Sequence, residues 1–271
     1  KSVSPIPKAV DVNAITLGDN RVLVSYAATS ASTGTWLYDP ILDRWADGPS
    51  VPGACGSLVP VAASATEFGA LCLIEAPGSG PAAYLWLVST VVGWSPTEPM
   101  IRANLYRRVP VPLADGRVLV AGGTFGGAPA TDAELYDPKT KKWTALASAP
   151  SASTPSSQDR HFGTELFDKR VLFFGGAPAK DGDARPLTAF YDPSANTWTT
   201  SSAGVLPAGT YVHSLSTTSY GLPIAFTFAK GDFAAVGIDT VTGNWKQLAF
   251  ASQRTLMSAS NAGRNNVLLF T

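Results

Sequence analysis

Short apolar runs alternate with clusters of turn-forming residues along the whole chain, and nowhere do apolar positions recur with the period of an amphipathic helix. Arg117-Val118-Leu119-Val120-Ala121 follows Leu113-Ala114-Asp115-Gly116, Arg170-Val171-Leu172-Phe173-Phe174 follows Phe167-Asp168-Lys169, and Arg21-Val22-Leu23-Val24 follows Gly18-Asp19-Asn20. Each reads as the second strand of a hairpin closed by an Asp-Gly-type turn. A second hairpin lies downstream in each unit. Its turn opens as Tyr38-Asp39-Pro40, Tyr136-Asp137-Pro138 and Tyr191-Asp192-Pro193, with Ile238-Asp239-Thr240 as a fourth form. Pro presets φ for the second position of a type I turn, and the Asp carboxylate accepts nearby backbone N–H groups. Two hairpins in succession predict a four-stranded antiparallel meander, so the chain is expected to be all-β.

Tryptophan marks the same place in each unit. Trp45, Trp94, Trp143, Trp198 and Trp245 each stand seven residues after an apolar or aromatic residue, namely Tyr38, Leu87, Tyr136, Tyr191 and Ile238. The period is about 50 residues, that of one four-stranded repeat. Large aromatics at a fixed position are expected to pack between neighbouring sheets rather than to stack on a ligand. Gly122-Gly123-Thr124-Phe125-Gly126-Gly127 lacks the Gly-Lys-Ser/Thr of a phosphate loop, so its glycines are expected to serve close backbone packing.

Matching positions in several copies give this pattern a family resemblance. Val118 to Gly123, followed by Glu134-Leu135-Tyr136-Asp137-Pro138-Lys139-Thr140-Lys141-Lys142-Trp143, resembles the Kelch repeat, and its wording is similar to bacterial Kelch proteins. The resemblance implies one β-propeller over residues 1–271, with blades at 9–47, 50–96, 100–145, 150–200, 208–247 and 253–271, the last completed by 1–7. Six blades of four-stranded antiparallel sheet are expected; five and a remnant is the alternative. The units at 50–96 and 208–247 are degenerate. Arg254 to Thr271 reads as the first hairpin of an incomplete last blade. The start of the chain, Lys1 to Pro5, resembles Ala145 to Pro150 after Trp143, and is expected to supply that blade's outer strand, closing the ring without an exposed inner edge. No segment supplies its third strand.

In such a propeller the first strand of each blade lines the central channel. Its beginning faces one side of the disc, together with the loop joining the second and third strands. The family often carries an Arg nine residues before the positions held here by Arg117 and Arg170, which points to Arg108 and His161, with Arg107 and Arg160 beside them. His213 falls at about the same point of the fifth blade, and Arg254 enters the sixth. Val12 and the stretch Cys55 to Val61 offer no cation in the first two. Two readings stand. The cations line an anion-accepting pocket over the channel mouth, where Arg clamps carboxylate or phosphate; or the arginines are blade cement, bound to carbonyls and Asp side chains. Pro150 to Gln158 and Ala177 to Arg185 read as loops flanking this address.

Composition narrows the partners. Twenty basic and twenty acidic residues give a formal net charge of zero, which argues against nucleic acid or an anionic membrane. Hydrophobic residues make up 45% of the chain, ample for a packed core rather than disorder. No run approaches the ~20 apolar residues of a membrane span, so no insertion is expected. Cys55 and Cys72 are too few for a disulfide framework or a zinc site; a single disulfide between inner strands of the second blade and two buried thiols both stay open. The Ser/Thr-rich, low-charge composition leans toward export to the periplasm, cell surface or medium. Lys1 in the first position fits a removed signal peptide or a trimmed chain.

The expected function is therefore non-catalytic recognition by a monomer, without metal or cofactor. The ligand would be a partner protein, an acidic peptide or a carboxylate-bearing glycan, held by Arg107, Arg108, Arg160, His161, His213 and Arg254. The alternative is a small-molecule enzyme of isomerase, mutarotase or lyase type, with His161 or His213 as acid/base. Catalytic footholds are thin. His161 and Glu165 on one strand would lie about 13 Å apart, too far to share a metal. His213 beside Ser214 and Ser216 has no assignable orienting carboxylate. The copper-radical and iron motifs of Kelch enzymes have no recognisable counterpart.

Overall fold

The computed structural model describes residues 10–17, 19–29, 32–48, 58–62, 68–74, 83–90, 93–98, 100–102, 108–125, 128–150, 161–175, 187–201, 211–217, 222–229, 232–252, 258–261 and 267–270. Every regular element among them is a β-strand. The first sheet holds β1 (Val10–Thr16), β2 (Val22–Thr29), β3 (Ser32–Asp39) and β4 (Arg44–Asp47); the second holds β5 (Leu58–Ala62), β6 (Phe68–Ile74), β7 (Ala83–Thr90) and β8 (Gly93–Pro96). In the third, β9 (Val109–Pro112) and β10 (Val118–Ala121) are followed by a small ribbon of β11 (Thr124–Phe125) and β12 (Ala128–Pro129), then by β13 (Ala133–Asp137) and β14 (Lys142–Ala145). The fourth comprises β15 (His161–Glu165), β16 (Val171–Gly175), β17 (Leu187–Asp192) and β18 (Thr197–Ser201), and the fifth β19 (Tyr211–Thr217), β20 (Pro223–Ala229), β21 (Asp232–Ile238) and β22 (Trp245–Ser252). A two-stranded sheet of β23 (Ser258–Asn261) and β24 (Val267–Phe270) comes last.

Each four-stranded sheet is an antiparallel meander. First strands stand side by side: β1 with β5, β5 with β9, β9 with β15, β15 with β19, β19 with β23, and β23 with β1. Residues 1–9 lie outside the described residues.

The second hairpins obey their Asp. Asp39 accepts the N–H groups of Ile41 and Leu42, Asp137 that of Lys139, Asp192 those of Ser194 and Ala195, and Asp239 those of Val241 and Thr242. Four residues after each Asp the backbone turns left-handed, at Asp43, Lys141, Asn196 and Gly243. These turns set Tyr38 opposite Trp45, Tyr136 opposite Trp143, Tyr191 opposite Trp198 and Ile238 opposite Trp245. The second sheet breaks the rule. Its Trp94 pairs with Ser89 rather than with Leu87, because the turn, lacking Asp-Pro, is shorter.

Sheets pack face to face through both sides of each strand, which is why β10 and β16 are nearly continuous apolar runs. Val109, Val111, Leu119 and Ala133 of the third sheet meet Val171, Phe173, Ala189 and Tyr191 of the fourth. On its other face the fourth offers Phe174 to Val212, Ala225 and Val236 of the fifth. The repeat tryptophans fasten these contacts. Trp198 donates its indole N–H to the Ala147 carbonyl (2.8 Å), Trp143 to the Glu98 carbonyl (3.0 Å), and Trp245 to the Thr188 hydroxyl (3.1 Å), each across to the preceding sheet or its trailing segment. Gly122 and Gly123 have φ of 68° and 110°. Left-handed backbone, rather than close packing alone, is what demands glycine there; the bend leads the chain into the ribbon.

Candidate functional site

Every sheet has two ends: a turn end, with the loops closing both hairpins, and a leading end, where the first strand begins and the second passes to the third. At the turn end one device occurs three times among the described residues. Asp19, Asp115 and Asp168 each accept the backbone N–H of the Arg two residues on and grip its guanidinium, with Nε–carboxylate distances of 2.7, 2.8 and 2.8 Å for Arg21, Arg117 and Arg170. The residue between them, Asn20, Gly116 or Lys169, is left-handed. The Arg117 hydrogen bond holds the Asp115 carboxyl below its ordinary range, and Asp115 in turn keeps Arg117 more firmly protonated. Arg170 also reaches the fifth sheet, donating to the Thr240 carbonyl at 2.7 Å while its guanidinium lies 4.9 Å over the Phe190 ring. Burial and a 2.7 Å hydrogen bond to Asp43 push the Tyr38 hydroxyl up to about 12. Repetition of one clasp in three sheets marks this end as scaffold. The Asp-x-Arg spacing was visible in the sequence as a turn but not as an ion pair.

The leading end differs from sheet to sheet. Arg108 directly precedes β9, and its side chain is 0% exposed. The guanidinium is ion-paired with Glu134 on β13 and donates to the carbonyls of Val120 (3.3 Å) and Asp132 (3.0 Å). Glu134, itself 1% exposed, accepts the N–H groups of Ile101 (2.7 Å) and Arg102 (3.1 Å) as well, while Arg102 pairs with Asp132 at 3.0 Å. One carboxylate thus ties the segment arriving from the second sheet to the middle of the third. Arg108 is cement inside its own unit. Its place in an open anion pocket is corrected accordingly: an enclosed guanidinium has no face to offer a ligand.

His161 is the first residue of β15, opposite Gly175. His213 lies near the beginning of β19, where the ladder pairs Val212 with Thr227 and Ser214 with Phe226 and leaves His213 as the extra residue of a bulge. A similar shift falls between Val10 and Asn13 of β1, around Val12. Bulges interrupt a ladder where a strand must be re-aimed, and no sequence signal announced either. Since β15 lies beside both β9 and β19, the leading end brings the backbone of positions 108, 161 and 213 to one side of three successive sheets. Arg107, Arg160, Arg254, Cys55, residues 151–158 of the first flanking loop and the loop at 177–185 lie outside the described residues; Cys72 is on β6, opposite Leu58.

Residues 106–150 match the Kelch motif. This stretch is a Kelch repeat. It contains the buried Arg108–Glu134 pair, the Asp115–Arg117 clasp and the Asp137 turn in one unit. No curated protein matches the sequence. Among solved structures, the chain is similar to the SapL1 lectin in complex with alpha methyl fucoside, with a TM-score of 0.66 and 16% identity over 98% of this chain and 89% of the lectin. It is also similar to TolB from Acinetobacter baumannii, with a TM-score of 0.61 and 12% identity over 94% of this chain and 55% of TolB. At these identities the likeness speaks for the fold, an all-β propeller.

Glu165, at the far end of β15 from His161, accepts the Ala114 N–H and pairs with Lys169 at 3.6 Å, so it is engaged at the turn end. Among the described residues no group of three or more His, Cys, Asp or Glu is placed to hold a metal ion, and no helix is long and apolar enough to cross a membrane.

Proposed function

We propose that this propeller is a non-catalytic recognition module whose leading end takes an acidic ligand, a carboxylate-bearing glycan before an acidic peptide or a partner protein. The reading takes six blades around one axis, an arrangement that the order of the first strands supports. One observation carries it: His161 and His213 stand at or near the beginnings of adjacent first strands, at the same end of the molecule, on units whose fold does not repeat them. Arg107, Arg160 and Arg254 join them from the sequence pattern. Arg108 is left out because it is enclosed. The order of preference among ligands draws on the SapL1 lectin, a neighbour in fold that was solved with a sugar bound. Imidazolium and guanidinium groups at a rim would bind a carboxylate by charge-assisted hydrogen bonds.

Isothermal titration with N-acetylneuraminic acid and with an oligoglutamate peptide tests the reading. Binding should weaken about tenfold or more in a Arg160→Ala/His161→Ala/His213→Ala variant whose melting temperature stays within a few degrees of the parent, as loss of a charge-assisted contact predicts. Unchanged affinity in the folded triple variant would remove the leading end as the site.

A further inference from the structure

The first sheet departs from the repeat at one place. Registers align it with its fellows: Val22 pairs with Tyr38 and Tyr38 with Trp45, as Val171 does with Tyr191 and Tyr191 with Trp198. By that count Trp36 occupies the position of Ala189 in the fourth sheet and of Glu134 in the third. Tyr26 occupies that of Gly175 and Gly122. Ala189 and Glu134 are buried; Tyr26 and Trp36 are half-exposed. Their rings stack with centroids 3.9 Å apart and planes 17° from parallel. Trp45 supports Trp36 edge-on from behind, at 6.2 Å and 75°. Gly34, opposite Tyr26, leaves the space the tyrosine ring crosses, since a Cβ there would collide with it.

Both rings pack against the buried Val22, Val24 and Tyr38 of their own sheet, yet each keeps part of its surface exposed. The repeat tryptophans Trp143, Trp198 and Trp245 each spend their indole N–H on the preceding unit, whereas neither the Trp36 N–H nor the Tyr26 hydroxyl bonds any described residue. Tyr26 stands at the leading end, one residue before the Ala27 that pairs with Val10. This is the sheet whose sequence has Val12 where other units carry cations.

We propose that Tyr26 and Trp36 form a stacking platform for the pyranose ring of a neutral sugar. Stacked on each other, the two rings leave their outer faces to cover the apolar C–H face of such a ring, with the hydroxyl and indole N–H as partners for its hydroxyl groups. The proposal extends the recognition reading above to a second, uncharged subsite on the same side, and needs none of its cations.

Saturation-transfer NMR with methyl galactoside, methyl glucoside and methyl mannoside tests it. At least one glycoside should receive saturation from the parent protein and shift the Trp36 indole N–H resonance, assigned by Trp36→Phe. Tyr26→Ala should weaken that binding about tenfold, and Tyr26→Phe, which keeps the stacking face, should weaken it less. The His161→Ala/His213→Ala variant should bind the neutral glycoside as the parent does, even where it has lost acidic ligands. No transfer to any of the three, a Trp36 resonance that stays put, or loss in the histidine variant alone would each overturn the platform.

Discussion

The two ends of the sheets follow opposite rules. At the turn end, Asp19–Arg21, Asp115–Arg117 and Asp168–Arg170 repeat one clasp, and Asp39, Asp137, Asp192 and Asp239 repeat one cap. At the leading end, the beginnings of the first strands hold Val12, Arg108, His161 and, as the extra residue of a bulge, His213: an aliphatic residue, an enclosed cation and two imidazoles. A feature that returns in several units with one geometry serves the scaffold those units share. Chemistry that differs so widely at comparable places is not dictated by the repeat, and a binding site needs that latitude. Arg108 is the instructive exception, for it sits at the variable end and yet belongs to the scaffold.

That exception gives the largest expected effect. Arg108→Ala would strand the Glu134 carboxylate in the interior, and breaking a buried pair from one side costs about 3–5 kcal/mol. Arg108→Met/Glu134→Met should recover part of this, because an apolar pair of similar volume removes the stranded charge. Recovery stays partial, since Glu134 also receives the N–H groups of Ile101 and Arg102. Urea unfolding measures both variants. A loss below about 1 kcal/mol for Arg108→Ala would return this residue to the candidate rim, since that is the scale of an exposed pair.

What could be read from the chain follows the same division. The meander, the Asp-capped turns and the wedged tryptophans were legible because each rests on local backbone chemistry repeated along the sequence. Trp94 misled where its unit lacks Asp-Pro, and the partner it takes is set by turn length rather than by spacing. Glu134 was invisible as a partner for Arg108. Its burial depends on the third sheet closing around it, and nothing within a few residues signals that. The bulge at His213 was equally silent, because one extra residue in a strand leaves the apolar pattern nearly intact. The Tyr26–Trp36 stack needed the register of two sheets to be known before its departure from Ala189 and Gly175 could be seen.

A middle-sized effect sharpens the contrast within a single strand. Gly163, in the centre of β15, faces Val111 of β9, and a Cβ on it would collide with the valine side chain. Gly163→Ala should therefore cost about 1–3 kcal/mol through overpacking between neighbouring first strands. His161→Ala, two residues earlier, should change stability by no more than about 0.5 kcal/mol if it serves recognition, as proposed above, rather than the scaffold. Chemical denaturation of the two variants side by side checks this. Equal losses would mean that scaffold reaches the very beginning of β15, and the distinction between the ends would fail there.

The smallest effect belongs to the turn end and fades only in acid. The Asp115 carboxyl is lowered chiefly by its hydrogen bond from Arg117, Asp192 by the Ser194 hydroxyl and then backbone N–H groups, and Asp239 by the N–H groups of Thr242 and Val241. A carboxyl whose folded pKa lies below its unfolded value of 3.8 binds its proton more readily once the chain unfolds. Its contribution is thus complete above that value and is lost as the pH falls below 3.8 through the folded values. All three groups are solvent-facing, so each contribution is modest and screened by salt. Asp115→Asn keeps the shape of the clasp and removes the charge. Its urea midpoint should lie below the parent's at neutral pH, and the gap should close as the pH drops below 3.8. A gap that stayed constant into acid would show that the turn is held by the geometry of its backbone hydrogen bonds alone, and that the Asp-x-Arg charges contribute nothing to the end of the molecule they mark.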